Sequence, residues 1–145
     1  MKTYELTDYI AEYFSHFALH QRGLSHNTLS SYSDAVILFL KFCQSQKGIR
    51  IESLKFEHVS KSLVIEFCDW IEQEKHCSAA TRNQRLTALH SVFRYILNET
   101  PMHIPLCRDI LSIPMKKVSK NHRYIYQWKS FNKYYLYRIQ RNPQS

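Results

Sequence analysis

The sequence predicts an all-α fold, a single domain of four helices followed by a basic, poorly structured tail. Three observations carry this. Apolar residues recur at i, i+3, i+4, i+7 spacing in four separate stretches. Serine, threonine or asparagine, side chains that cap helix N-termini, stands at the head of these stretches, and Gly23 and Gly48 follow two of them. The one alternating segment, Ile49 to Phe56, has no second strand to pair with and reads as a packed loop. A length of 145 residues suits one domain with one core, and 44% hydrophobic content with two glycines and four prolines marks a folded protein.

The first helix runs from about Thr7 to Gln21, with Ile10, Phe14 and Phe17 on one face and Gly23 as its stop. The second starts at Ser25 or Asn27, buries Val36, Phe39, Leu40 and Cys43, and closes at Gly48. Ser60 to Lys75 forms the third, burying Val64, Phe67 and Ile71 with Leu63 and Trp70 on its flank. The fourth runs from Ser78 or Thr81 to Asn98 and buries Leu86, Leu89, Phe93 and Ile96 before Pro101 and Pro105 break the pattern. A short helical turn around Leu106 to Leu111 follows, and Ile113-Pro114-Met115-Lys116-Lys117 ends the body.

The second and fourth helices open alike, on Ser25-His26-Asn27-Thr28 and Ser78-Ala79-Ala80-Thr81. In each, a serine cap worth ~1 kcal/mol leads through hydroxyl, amide or guanidinium groups into an apolar stripe. Such a helix buries its far end and offers polar side chains at its near end. That arrangement suits a grip on DNA.

The formal net charge is +8, and its location matters more than its size. Residues 1–109 hold 12 Lys+Arg and 12 Asp+Glu, so the whole excess lies in residues 110–145, which carry no acid. Within the body, Lys75 to Asn98 contains Lys75, Arg82, Arg85 and Arg94 but no carboxylate, while the stretch before it carries Glu66, Asp69, Glu72 and Glu74. One side of the fold is therefore expected to be basic and its neighbour acidic.

Other classes fall away. No apolar run reaches the ~18 residues that span a bilayer, and the N-terminus has acids in place of an apolar signal region, so the expectation is a cytoplasmic chain with no membrane partner. The four cysteines make no C-x-x-C pair and the eight histidines no ligand pattern. Cys43 and Cys68 sit in apolar stripes as core thiols. Neither a metal nor any other cofactor is expected.

The pattern Gly23-Leu24-Ser25-x-x-Thr28-x-x-x-Tyr32, then Ser78-x-x-Thr81-Arg82-x-x-Arg85-Leu86-x-x-Leu89-x-x-x-Phe93, then Ile113-Pro114-x-Lys116-Lys117, resembles the core-binding domain of tyrosine recombinases, the phage-type integrases. The likeness covers about residues 4–117. It implies a four-helix, SAM-like orthogonal bundle that arches over double-stranded DNA beside other recombinase subunits. It also implies that the second and fourth helices approach the DNA. Carried onto this chain, the DNA-binding candidates are Ser25, His26, Asn27, Thr28 and Tyr32, then Thr81, Arg82, Asn83 and Arg85, with Lys116 and Lys117 matching the basic start of the family's interdomain linker.

The chain departs from that family after Lys117. The resemblance implies a catalytic domain supplying an arginine, a lysine, an H-x-x-R pair, a further histidine or tryptophan, and a tyrosine nucleophile. Only 28 residues remain, and no H-x-x-R occurs in the chain. The expectation is a truncated or frameshifted recombinase module that is not an enzyme by itself. Residues 118–145 are expected to be disordered or a remnant.

Two readings of Arg82 and Arg85 stay open: a solvated helix face, or an anionic partner offsetting cations placed near a helix N-terminus. Lying three apart on the polar side, both are expected to be replaceable without loss of fold. For the whole chain, the alternative to DNA binding is a helical protein–protein interaction domain.

Overall fold

The computed structural model describes residues 4–118. Five α-helices make up the body: α1 (Leu6–Glu12), α2 (His26–Lys47), α3 (Lys61–Gln73), α4 (Ala79–Glu99) and α5 (Ile104–Leu111). A π-helical segment, Tyr13–Gln21, continues α1, and short 3-10 turns at Ile51–Ser53, Phe56–His58 and Pro101–His103 fill the connections. Among the described residues there is no strand. The expected tail, residues 118–145, lies outside the described residues except for Val118.

Local chemistry sets the helix ends. Ser25, Ser60 and Ser78 each accept a backbone N–H from the third residue onward, at 3.1 Å in every case. Gly48 ends α2 in the left-handed region at φ 66, where a side chain costs free energy. The alternating stretch at Ile49 is the packed loop expected, for its 3-10 turns aim Leu54 and Phe56 into the core.

The four apolar stripes converge on one core. Val36, Phe39 and Cys43 of α2 meet Val64, Phe67 and Ile71 of α3 and Leu86, Leu89, Phe93 and Ile96 of α4, all buried. Phe67 sits between Phe39 and Phe42 at ring-centroid distances of 5.3 and 5.7 Å, edge to face. Leu40 packs against this core only partly buried.

The first helix differs from its expected course. From Tyr13 its backbone closes i→i−5 hydrogen bonds, as when Arg22 N–H donates to the Phe17 carbonyl at 2.9 Å. The wider turn changes which positions of the Tyr13–Gln21 segment face inward, while Leu6 is buried from α1 itself. Leu6, Tyr13 and Ala18 become the fully buried positions, while Ile10, Phe14 and Phe17 pack at the margin. Tyr13 is drawn inward by a hydrogen bond between its hydroxyl and the Ser91 hydroxyl of α4. A regular 3.6-residue period leaves no sign of this.

Cys43, Cys68 and Cys107 are buried free thiols, each pushed up to about 11 chiefly by burial, as core thiols should be. Cys77 is half-buried. Native protein treated with a thiol-alkylating reagent is therefore expected to modify Cys77 first, with the other three reacting only on denaturation. Mass spectrometry of a time course checks this, and early labelling of Cys43 or Cys68 would contradict the core.

Candidate nucleic-acid interface

The two matching openings build matching ends. Ser25 Oγ accepts the Thr28 N–H at 3.1 Å and turns its own hydroxyl hydrogen to Thr28 Oγ1 at 2.9 Å. Ser78 does the same with Thr81, both contacts at 3.1 Å. Neither first turn carries an acid, so both helix dipoles present their positive ends unopposed. The helices then touch at corresponding points: Gln84 Nε2 donates to Ser31 Oγ, each residue lying six positions beyond its own cap. Both N-termini thus lie within about 9 Å of helix rise of one bridge.

The candidates differ sharply in what they offer. Ser25, His26 and Asn27 are exposed, and Thr28, Tyr32 and Thr81 are half-buried. The Ser25, Thr28 and Thr81 hydroxyls are occupied in capping. Arg85 is half-buried, its Nε lies under the surface without a hydrogen-bond partner, and no acid pairs with it among the described residues. Lys116 and Lys117 are exposed.

Arg82 departs from expectation. It is 5% exposed, with its Nε 3.6 Å from Glu72 Oε1 and an Nη donating to the Pro114 carbonyl at 3.2 Å. The free, polar-face guanidinium foreseen from the sequence is instead a buried brace, because α3 presents a carboxylate beside α4. Asn83 is similarly engaged. Its Oδ1 accepts the Lys116 N–H at 2.9 Å, and its Nδ2 donates to the Lys116 carbonyl at 2.8 Å. Lys116 Nζ reaches the two Glu72 oxygens at 2.8 and 3.0 Å.

Sequence reasoning missed Glu72 and His90. Glu72 stood only as one acid in a run; the available signal was that run's position beside a carboxylate-free helix. His90 is 8% exposed and bonds the Ile110 carbonyl through Nε2 at 2.9 Å. Burial lowers its pKa below the usual 6.5, the bond to Ile110 opposes this, and the nearby Arg94 and Arg82 charges add to the lowering. Nothing in the spacing marked it. Among the described residues no group of His, Cys, Asp and Glu could hold a metal, and no helix is long and apolar enough to cross a membrane.

These placements separate the two arginines energetically. Arg82→Ala should destabilise the fold by about 2–3 kcal/mol by breaking a buried pair, whereas Arg85→Ala should change stability by no more than about 0.5 kcal/mol. Urea denaturation of the two variants decides; equal stabilities would mean that the Arg82 brace is idle. His90 supplies a pH dependence. Its folded pKa lies below the unfolded value, so its contribution is complete above about pH 6.5 and is lost as pH falls through the folded pKa. Urea midpoints should drop on acidification from about pH 7.5 to about pH 5.5, and less so in His90→Gln. An identical drop in both proteins would remove His90 as the cause.

Comparison with known proteins agrees with the geometry. Residues 10–100 match the family described as phage integrase, N-terminal SAM-like domain. Two proteins of Sinorhizobium fredii (strain NBRC 101917 / NGR234) are similar. "Putative integrase/recombinase y4rC" is 34% identical over 115 residues, covering 79% of this chain and 35% of the relative. "Putative integrase/recombinase y4rD" is 28% identical over 112 residues, covering 77% of this chain and 40% of the relative. The matched stretch thus spans less than half the length of either relative. No solved structure matches. With a SAM-like bundle of helices, a family match over most of its body and these two relatives, the chain belongs to the phage integrase N-terminal SAM-like domain family.

Proposed function

We propose that this chain is the DNA-gripping module of a site-specific tyrosine recombinase, binding double-stranded DNA alongside further recombinase subunits. The observation that carries the reading is the pair of capped, acid-free helix N-termini, α2 and α4, tied together at Ser31 and Gln84. Backbone N–H groups and the positive dipole end favour phosphate oxygens at such termini. His26 and Asn27 are exposed in the first turn of α2, and the unpaired Arg85 stands on the second turn of α4. Phosphate contacts fix the register of such a module, and a few side chains at base edges give it preference. Arg85 is the residue with the reach and charge to do both.

Strand cleavage is not part of the proposed role of this 145-residue chain. A phenol attacks phosphate usefully only when cations stabilise the charge that develops. Three cations of the body are engaged within the fold: Arg82 braces Glu72 and Pro114, Lys47 pairs with Glu66, and Lys75 lies over the Trp70 ring.

Fluorescence anisotropy on duplex DNA at graded salt tests the reading. Binding through about five cations should weaken with a log–log slope of about −4 to −5, and Arg85→Ala should weaken affinity and flatten that slope by about one unit. Salt-independent association, or an Arg85→Ala variant indistinguishable from the parent, would favour a protein-interaction domain. A suicide DNA substrate should trap no covalent tyrosyl adduct, and a trapped adduct would refute the non-catalytic assignment.

A further inference from the structure

Ile110 and Ile113 are 0% and 3% exposed, and they anchor the end of the body in the apolar core. Past Ile113 the anchoring changes kind. Pro114, Met115, Lys116 and Lys117 are all exposed, yet the path from Pro114 to Lys116 is defined by polar contacts to α3 and α4. Arg82 holds the Pro114 carbonyl, the Thr87 hydroxyl lies 4.0 Å from Met115 Sδ, and the Asn83 amide binds both the N–H and the carbonyl of Lys116. Glu72 grips the Lys116 ammonium and also lies 3.6 Å from Arg82 Nε, so one carboxylate is shared between two cations.

From this arrangement we infer that Asn83 and Glu72 are positioning residues that latch the exit segment onto α4. They fix the direction in which the chain leaves the body and keep the Lys116 charge beside the N-terminal half of that helix. The Asn83 side chain imitates a neighbouring strand, filling one donor and one acceptor of the passing backbone, so it holds position without reading side-chain identity. Glu72 supplies the complementary charge. Without the latch, the ordered path ends at Ile113. Lys116 is then no longer placed, although the helices remain. The part played by Lys116 in DNA affinity rests on the DNA-gripping reading above; the latch itself does not.

The test uses the full chain and separates these two parts. Residue-resolved amide exchange should show the Lys116 N–H protected in the parent and exchanging about tenfold faster in Asn83→Ala, the factor expected for one lost hydrogen bond. Amides from Leu86 to Ile96 should be unchanged. Glu72→Gln should act in the same direction. Asn83→Ala also removes an acceptor 3.2 Å from an Arg82 Nη, but Arg82 keeps Glu72 and the Pro114 carbonyl, so the variant keeps the test valid even if Glu72→Gln folds poorly. Equal Lys116 exchange in parent and Asn83→Ala overturns the latch. Duplex affinity then reads the positioning: Lys116→Gln should weaken binding in the parent but not in the Asn83→Ala background. Additive losses overturn the positioning of Lys116. No loss in either background removes Lys116 from the DNA reading and leaves the exchange result to judge the latch alone.

Discussion

Helix α4 runs through the middle of the protein carrying polar side chains that its apolar partners cannot satisfy. Arg82, His90 and Ser91 are the buried polar residues among those described, and all three belong to it. A buried polar group without a partner costs about 1–3 kcal/mol, so each position demands a particular neighbour. Ser91 takes the Tyr13 hydroxyl and an Nη of Arg22, which seats the π segment and the approach to α2. His90 takes the Ile110 carbonyl at the end of α5. Arg82 donates to the Pro114 carbonyl and meets the Glu72 carboxylate of α3 as a charge 3.6 Å away, its Nε making no hydrogen bond. Apolar packing draws the helices together, but these directed contacts choose the register in which they meet.

That constraint also shapes the electrostatics of the end where α2 and α4 begin. Two arginines three residues apart have opposite duties. One is spent neutralising a neighbouring helix, and the other keeps its charge. Basic composition by itself therefore overstates the charge open to an anionic partner. The acid-free first turns of α2 and α4 add to Arg85 through backbone dipoles, which no count of lysines and arginines records.

Much of the bundle was legible because its signals are local. The serine caps, the stop at Gly48 and the stripe Leu86–Leu89–Phe93–Ile96 each follow from residues within a few turns of one another, and the structure has all of them. The π segment was not legible, since the partner that its buried Tyr13 meets, Ser91, lies seventy-eight positions away. Arg82 was misplaced for the same reason. Helical periodicity puts it on the polar side of α4, and only the approach of Glu72 and Pro114 covers it. Arg85 is half-buried, with its Nε covered and lacking a hydrogen-bond partner.

The Asn83 clasp has a mechanical consequence. Tension applied to the chain beyond Lys117 would be taken first by a side-chain amide and a carboxylate at Lys116, next by the Arg82 contact to the Pro114 carbonyl, and only then by Ile113 and the core. By that order of contacts the exit would act as a shear pin, yielding before the load reached the folded body. Whatever is drawn taut from that end can gain the slack of residues 114–116 without unwinding a helix.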